Sequence, residues 1–218
     1  MLKYKCLVLD HDDTVVNSTV TIHWPAFCKT LKKLRPEIRM SYEEFVMYCF
    51  EPGFHALCHD ILGFSQEEMQ IQVDNWSNYV TQHIPPFYDG MLEVIKRQKQ
   101  EGGFVCVVSH SFSHNICRDY QANQACNPDL TFGWEYEESK RKPHPYPLIE
   151  IMKTFQLKPS DLLMVDDLKP GFVMANSCEV PFACAGWAHQ NPSIIEYMSK
   201  NCNFYLSSVE ELKKLIFE

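Results

Sequence analysis

Short apolar segments alternate with amphipathic segments along most of this chain. Lys5–Leu9 and Phe104–Ser109 are nearly continuous apolar runs, as in strands that are buried on both faces. Met91–Glu101 has apolar positions at helical spacing and ends at Gly102-Gly103, where helices often stop. The other predicted strands are at residues 130–134, 161–165, 182–186 and 203–206, and the other predicted helices of this pattern are at 113–125, 147–155, 171–177 and 208–217. This alternation predicts an α/β fold, a doubly wound parallel sheet with helices on both faces.

The region between about residue 20 and residue 82 has a purely helical pattern. Apolar positions recur at helical spacing over Thr21–Leu34, and residues 54–62 form a short predicted helix after a Glu51-Pro-Gly53 breaker. Two serines, each followed three residues later by a glutamate, have the capping-box pattern that opens helices. These pairs are Ser41 with Glu44 and Ser65 with Glu68. We therefore predict about four helices in this block.

The helical block interrupts the α/β pattern just after its first strand and closes at Pro85-Pro86. We therefore predict a Rossmann-like core formed by residues 1–17 and 85–218, with an inserted helical domain at residues 18–84. A chain of 218 residues is long enough for this arrangement. It can also bury a full hydrophobic core without disulfides or structural metals.

Composition and charge limit the partners of the protein. The chain is 45% apolar and 22% charged, which is typical of soluble globular proteins. Its 28 acidic and 20 basic residues give a net charge of −8, which argues against nucleic acid or an anionic membrane as the main partner. No apolar run approaches the ~20 residues of a membrane-spanning helix, and the first run stops at Leu9, too early for a signal peptide. We expect a cytoplasmic protein that is a monomer or a weak homodimer.

The ten cysteines do not suggest a zinc site or a disulfide framework. No two of them form a Cys-x-x-Cys pair, and several lie within apolar runs, such as Cys6 and Cys106. Free cysteine packs like a small apolar residue. We therefore expect buried free thiols in a reducing compartment.

Polar side chains gather where the predicted strands end. They are Asp10, Asp12 and Thr14 after the first strand, Ser109 after the second, Asp166 and Asp167 after the fourth, and Lys142 in the loop before the helix at 147–155. Ligands of open parallel sheets bind at the carboxyl ends of the strands, so we expect these groups to converge. Clustered carboxylates repel one another unless a cation lies among them, and a hard oxygen site suits Mg²⁺. Lysine and serine beside such a cation favour a phosphoryl group as the ligand.

The order of these motifs resembles the haloacid dehalogenase superfamily. Asp-x-Asp-x-Thr at residues 10–14 is followed by Ser109, by Lys142-Pro-His-Pro145 and by Asp166-Asp167-x-x-x-Gly171. The resemblance runs from residue 5 to about residue 190, and the helical block takes the place of a C1-type cap domain. It is similar to the phosphoglycolate phosphatase-like and β-phosphoglucomutase-like members of the superfamily.

The resemblance implies a role for each of these residues in phosphoester chemistry. Asp10 is the implied nucleophile, which forms an aspartyl-phosphate, and Asp12 is the implied acid and base. Ser109, the backbone N–H of His110 and Lys142 hold the phosphoryl oxygens. The implied Mg²⁺ ligands are Asp10, the main-chain carbonyl of Asp12, Asp167, and Asp166 directly or through water. The implied enzyme is a Mg²⁺-dependent phosphomonoester hydrolase, a phosphatase of small phosphorylated metabolites.

The sequence departs from the family pattern at two positions. Asp13 replaces the usual glycine, which adds a negative charge and removes backbone freedom. His110 stands where asparagine is frequent, but only its backbone N–H is needed there. Neither change removes an implied catalytic group.

Several other functions remain to be weighed. A sugar phosphomutase of the β-phosphoglucomutase type shares all of these residues. A receiver-like phosphoacceptor module also uses Asp pairs, Thr or Ser, Lys and Mg²⁺, but it does not explain the helical insert. A catalytically silent binding protein does not explain the intact motifs. The carboxylate at Asp12 favours phosphoester chemistry over dehalogenase or phosphonatase chemistry, because those reactions do not need this acid.

Some residues have a simpler interpretation. An EF-hand beginning at Asp10 fails, because its sixth position is Val15 instead of glycine. His110 and His114 lack an apparent third zinc ligand. Lys140 and Arg141, next to Lys142, are expected to be solvated.

Two further groups are predicted to be near the site. The Glu51–Gly53 turn, together with Phe54 and His55, is the part of the helical block that we expect to face it. Trp187 and His189, after the strand at 182–186, are predicted at its rim.

Overall fold

The computed structural model describes residues 2–218 of the chain. Its contacts divide the chain into two compact units. One unit combines the residues up to Asn17 with Pro86–Glu218, and we call it the α/β unit. The other is Ser18–Pro85, which we call the helical unit.

The helical unit has four α-helices. They are α1 (Trp24–Leu34), α2 (Tyr42–Phe50), α3 (Phe54–Ala56) and α4 (Gln66–Gln82). Both predicted capping boxes are confirmed, because Ser41 and Ser65 accept from the backbone N–H three residues later, and the glutamates there accept from the serine N–H. A core rich in phenylalanine, which includes Phe27, Phe45 and Phe64, holds the unit together.

Two predicted helices of this unit contain π-helical turns. The helix predicted from Thr21 starts as a π-turn over Thr19–His23 and becomes α-helical only at Trp24. Pro25 has no N–H to donate to the carbonyl four residues earlier, which disfavours a regular α-turn there. A second π-turn, over Leu57–Ile61, follows α3.

The α/β unit is built on one six-stranded sheet in the order β3-β2-β1-β4-β5-β6, with all neighbours parallel. The strands are β1 (Cys6–Leu9), β2 (Phe104–Val108), β3 (Leu130–Phe132), β4 (Leu162–Asp166), β5 (Phe182–Ala185) and β6 (Phe204–Leu206). Every residue of β1, β4 and β5 is buried, as the continuous apolar runs predict. The doubly wound parallel sheet is therefore confirmed.

Six α-helices accompany the sheet. They are α5 (Met91–Gln100), α6 (Ser113–Ala122), α7 (Tyr146–Phe155), α8 (Lys169–Ser177), α9 (Pro192–Asn201) and α10 (Val209–Phe217). Val94 and Ile95 of α5 and Ile116 of α6 pack with β1 and β2 residues in the main core. The apolar faces of α5 and α6 thus cover the sheet, as their amphipathic patterns predict.

The strand register brings the site residues together. Leu9 is paired with Val107 on one side and with Val165 on the other. The residues that follow these partners therefore lie at the same level of the sheet. Asp10 is consequently beside Asp166, the last residue of β4.

The cysteines are free thiols, as predicted. None of the ten, all within residues 2–218, forms a disulfide, and four are fully buried: Cys6, Cys58, Cys106 and Cys184. In the same described range, no helix combines the length and the apolar character needed to cross a bilayer.

Candidate active site

Three buried carboxylates converge at the carboxyl ends of β1 and β4. Asp10, Asp166 and Asp167 each place an oxygen within 4.8 Å of the others. The side chain of Asp166 is completely inaccessible to solvent, and those of Asp10 and Asp167 are nearly so. Burial raises the pKa of Asp166 well above its ordinary value and raises that of Asp167 to about 6. Three carboxyl groups this close and this buried need a compensating cation.

Lys142 supplies one positive charge to this cluster. Its Nζ lies 2.7 Å from Asp10 Oδ1 and 2.7 Å from Asp166 Oδ2, and the side chain is buried. Burial lowers the pKa of Lys142, but the carboxylates of Asp10 and Asp166 outweigh this effect and raise it above its ordinary value. Lys142 therefore remains an ammonium group.

The donor set also fits a divalent metal ion. Carboxylate oxygens are the ligands that Mg²⁺ prefers, and one lysine balances only part of the charge of three carboxylates. Asp10 Oδ1 is buried and paired with the Lys142 ammonium at 2.7 Å, so the carboxylate oxygens that do not contact Lys142 share little of that charge. Asp10, Asp166 and Asp167 are therefore residues that could hold Mg²⁺.

Asp12 faces a serine-rich loop after β2. Its Oδ2 accepts a 2.6 Å hydrogen bond from Ser111 Oγ and a longer one, 3.5 Å, from Ser109 Oγ. The backbone N–H of Ser111 donates to Ser109 Oγ at 3.1 Å. Sequence reasoning found Ser109 but missed Ser111, whose only signal is its place two residues later in the same loop.

His110 lies between these two serines and reaches the lysine loop. Its Nε2 donates to the Lys142 carbonyl at 2.9 Å, since a carbonyl can only accept. The residue as a whole is exposed, although this nitrogen faces the lysine loop. Desolvation and the charge of Lys142 lower its pKa to about 4, so the ring is neutral at pH 7. His110 therefore ties the two predicted phosphate-binding segments together.

Thr14 and His189 each contact one oxygen of the Asp167 carboxylate. Thr14 Oγ1 donates to Asp167 Oδ1 at 3.2 Å, and His189 Nε2 lies 2.6 Å from Asp167 Oδ2. Burial lowers the pKa of His189, but its hydrogen bond to Asp167 outweighs this and raises it. His189 was predicted at the rim of the site, and this was wrong, because its side chain is buried against the carboxylate. Trp187, the other predicted rim residue, donates from Nε1 to the Thr14 carbonyl at 3.2 Å.

Asp13 adopts the backbone conformation that explains a glycine in the family pattern. Its φ is 57°, in the left-handed region that aspartate tolerates better than most residues. Its Oδ2 lies 4.0 Å from His189 Nε2. Asp13, Asp167 and His189 form a second group whose ligand atoms all lie within 4.8 Å of one another.

Another buried pair was not found from the sequence. His11, between Asp10 and Asp12, places Nε2 3.1 Å from Asp119 Oδ2, and both residues are buried. Arg118 donates to the other oxygen of Asp119 from Nε at 2.8 Å. This pair connects the loop after β1 to α6.

The remaining sequence predictions lie outside this cluster. Among the described residues, neither His110 nor His114 belongs to a group of possible metal ligands. The Glu51–Gly53 turn, with Phe54 and His55, belongs to the helical unit. Its orientation toward the site stays a prediction.

Comparison with known proteins assigns the family. The model of the haloacid dehalogenase-like hydrolases matches residues 7–185. The chain therefore belongs to this family, and it is an enzyme of the hydrolase class. No curated protein matches the sequence.

Solved structures share the fold at low sequence identity. A predicted phosphoglycolate phosphatase of Haemophilus somnus is 18% identical, with 99% of each chain covered and a TM-score of 0.77. CbbY of Rhodobacter sphaeroides, in complex with xylulose-(1,5)bisphosphate, is 14% identical over 96% of each chain, with a TM-score of 0.75. A haloacid dehalogenase-like family hydrolase of Streptococcus pneumoniae is 13% identical over 98% of each chain, with a TM-score of 0.76.

Proposed function

We propose that this enzyme is a Mg²⁺-dependent phosphatase that hydrolyses the phosphomonoester of a small metabolite through an aspartyl-phosphate at Asp10. The main support is the position of Asp10 at the end of β1, beside Asp166 and Lys142 and two residues before Asp12. A nucleophile, a proton carrier and a cationic anion-binding group are thus present together. The family and the phosphatases among the structural neighbours agree with this proposal.

Asp10 is the proposed nucleophile. Its carboxylate oxygen attacks phosphorus, a new P–O bond forms to Asp10, and the bond from phosphorus to the ester oxygen breaks. The ammonium group of Lys142, 2.7 Å from Asp10 Oδ1, is placed to attract the phosphoryl oxygens toward the nucleophile. Ser109 Oγ and the backbone N–H of His110 are the other proposed donors to those oxygens.

Asp12 is the proposed acid and base. It enters the first step protonated and gives its proton to the leaving ester oxygen. In the second step it takes a proton from the water that attacks phosphorus, the bond from phosphorus to Asp10 breaks, and inorganic phosphate leaves. The hydrogen bond from Ser111 Oγ to Asp12 Oδ2 fixes the direction of this carboxyl group.

Asp10, the backbone carbonyl of Asp12, Asp166 and Asp167 are the proposed metal-binding groups. Mg²⁺ held by these groups would supply positive charge that stabilises the phosphoryl oxygens. Thr14 and His189 orient Asp167 toward this position.

Hydrolysis of p-nitrophenyl phosphate tests the proposal. We expect the wild type to release nitrophenol with added Mg²⁺ and to lose activity in a chelator. Asp10→Asn should lower turnover by about a thousandfold or more, because it removes the nucleophile with little change in shape. Asp161→Asn, at an aspartate just before β4 and thus at the opposite end of the sheet, is the matched control and should keep activity. An active Asp10→Asn enzyme, or activity without any divalent cation, would refute the proposal.

A further inference from the structure

Arg141, the residue before Lys142, has no anionic partner within residues 2–218. It was predicted to be solvated, but the side chain is half-buried, with its guanidinium carbon 3.8 Å from the ring centroid of Trp134. Its Nε is enclosed by protein and has no hydrogen-bond partner in the described structure. We call this pair the Trp134–Arg141 platform.

Two carboxylates close to Arg141 in the sequence have other partners. Glu135 accepts hydrogen bonds from the backbone N–H of Ser113, at 3.1 Å, and from its hydroxyl group. Glu137 forms an ion pair with Lys140 at 3.1 Å. Guanidinium is always charged and carries five N–H donors, and a buried donor without an acceptor is costly. The permanent charge of the Arg141 guanidinium, without an anionic partner in the described residues, therefore suggests that it binds an anionic ligand.

The platform adjoins the proposed phosphate-binding loop. Trp134 donates from its backbone N–H to the Ser111 carbonyl at 2.9 Å. Gly133 makes this approach possible, because a Cβ there would lie 2.6 Å from the same carbonyl oxygen. The His110 ring stands edge-on to Trp134 at a centroid distance of 5.8 Å, while its Nε2 reaches the Lys142 carbonyl. The Arg141 guanidinium is therefore beside the loop that holds the reacting phosphoryl group.

We propose that Arg141 binds a second oxyanion of the substrate, a carboxylate or a phosphate, a few bonds away from the phosphoryl group that is hydrolysed. This inference rests on the proposed phosphatase function and narrows its substrate class to phosphomonoesters with a second anionic group. The planar fork of arginine matches both oxyanions. The face of Trp134 holds the guanidinium in place before the substrate arrives, which reduces the entropy lost on binding.

Two ligand pairs test this inference and separate the two oxyanions. Phosphoglycolate and 2-hydroxyethyl phosphate differ only by a carboxylate in place of a hydroxymethyl group. A pentose 1,5-bisphosphate and the corresponding 5-phosphate differ by one phosphate. We expect the wild type to favour the anionic member of at least one pair by about tenfold or more in kcat/KM. Arg141→Gln should remove this preference while p-nitrophenyl phosphate hydrolysis stays within about twofold.

Two further variants distinguish recognition from a structural role. Lys140→Gln removes a neighbouring charge that is already paired with Glu137, so the preference should be unchanged. Trp134→Leu removes the face that holds the guanidinium, so it should weaken the preference and leave nitrophenyl phosphate hydrolysis intact. A structural role for Arg141 would lower activity on both members of a pair equally.

Calorimetry with the Asp10→Asn enzyme keeps this inference separate from the proposed function. The same ligand pairs are bound without turnover, with and without Arg141→Gln. If the wild type hydrolyses no phosphomonoester, the proposed function fails, but a preference lost with Arg141 would still support the anion site. Equal affinity for both members of both pairs, or a preference that survives Arg141→Gln, would overturn the inference.

Discussion

His189 Nε2 lies 2.6 Å from Asp167 Oδ2, and both side chains are buried. The histidine comes from the segment after β5, whereas Asp167 directly follows β4. Thr14 Oγ1 donates a hydrogen bond to the other oxygen of Asp167, so each carboxylate oxygen has a partner that fixes its orientation. Residues that orient a metal ligand contribute to metal affinity even when they do not touch the metal.

We expect His189→Ala to weaken divalent metal binding by about tenfold to a hundredfold. The measurement is the dissociation constant of Mn²⁺, a spectroscopic substitute for Mg²⁺, from the electron paramagnetic resonance signal of the free ion. His189→Gln should recover part of the affinity, because its amide can donate to Asp167. His114→Ala, an exposed histidine on α6, is the control. Unchanged Mn²⁺ affinity in His189→Ala would show that the histidine does not orient Asp167.

The positive φ of Asp13 predicts which substitutions this position accepts. Asp13→Gly and Asp13→Ala remove the same carboxylate, but only glycine adopts a φ of 57° without steric cost. We expect the alanine variant to be less stable than the glycine variant by about 1 kcal/mol. Urea unfolding of both variants measures this difference. An alanine variant as stable as the glycine variant would contradict a left-handed backbone at this residue.

Gly171 in α8 is predicted to be required by the position of Asp166. A Cβ at residue 171 would overlap the Asp166 carboxylate, which Lys142 and the Leu168 N–H hold in place. Alanine normally stabilises a helix by about 1 kcal/mol relative to glycine. We expect that Gly171→Ala does not raise the free energy of unfolding in this way. It should also lower phosphatase activity by about tenfold or more, because Asp166 is displaced.

The control for Gly171→Ala is Val173→Ala, at an exposed position of the same helix. It should change activity by less than about twofold. A Gly171→Ala enzyme that is more stable and fully active would mean that Asp166 has room to move.

The ion pair between Arg35 and Glu68 predicts a pH dependence of stability. Hydrogen bonds from Arg35 hold the pKa of Glu68 at about 2, below its ordinary 4.5. A carboxyl group with a lowered pKa stabilises the fold fully above its unfolded value and loses this contribution as the pH falls toward the folded value. The stability advantage over Glu68→Gln should therefore be constant above about pH 5 and shrink between pH 4.5 and 2.

Chemical unfolding at a series of pH values measures this difference. Glutamine still accepts at the capping box, so the comparison isolates the charge. Glu67→Gln changes an exposed neighbour in the same helical turn. Its stability difference from the wild type should not shrink in the same way between pH 4.5 and 2. If the difference in free energy of unfolding between the wild type and Glu68→Gln grew as the pH fell, the ion-pair account would be contradicted.

The main cluster could be predicted because parallel strands end at one edge of the sheet. Asp10 and Asp166 each follow or close a continuous apolar run, so the fold class places both at this edge, and the pairing of β1 with β4 sets them side by side. Lys142 needed the motif as well, because it lies on a loop whose path has no periodic signal. The resemblance supplied that information.

Other contacts could not be predicted because they depend on how loops pack. His189 precedes α9 and has no motif of its own, yet the segment after β5 brings it against Asp167. In the sequence, His11 only separates Asp10 from Asp12, and its contact with Asp119 depends on the packing of α6. Arg141 looks like a surface charge, and only the approach of Trp134 shows that it is half-buried.

Trapping the phosphorylated enzyme tests the central claim most directly. Asp12→Asn should still be phosphorylated by p-nitrophenyl phosphate, whose leaving group needs little protonation, but should hydrolyse the intermediate slowly because it lacks the base. Acid quenching followed by proteolysis and mass spectrometry then locates the phosphoryl group. We expect it on Asp10, and none in the double variant that also carries Asp10→Asn. A phosphoryl group on any other residue, or full turnover by the double variant, would contradict Asp10 as the nucleophile.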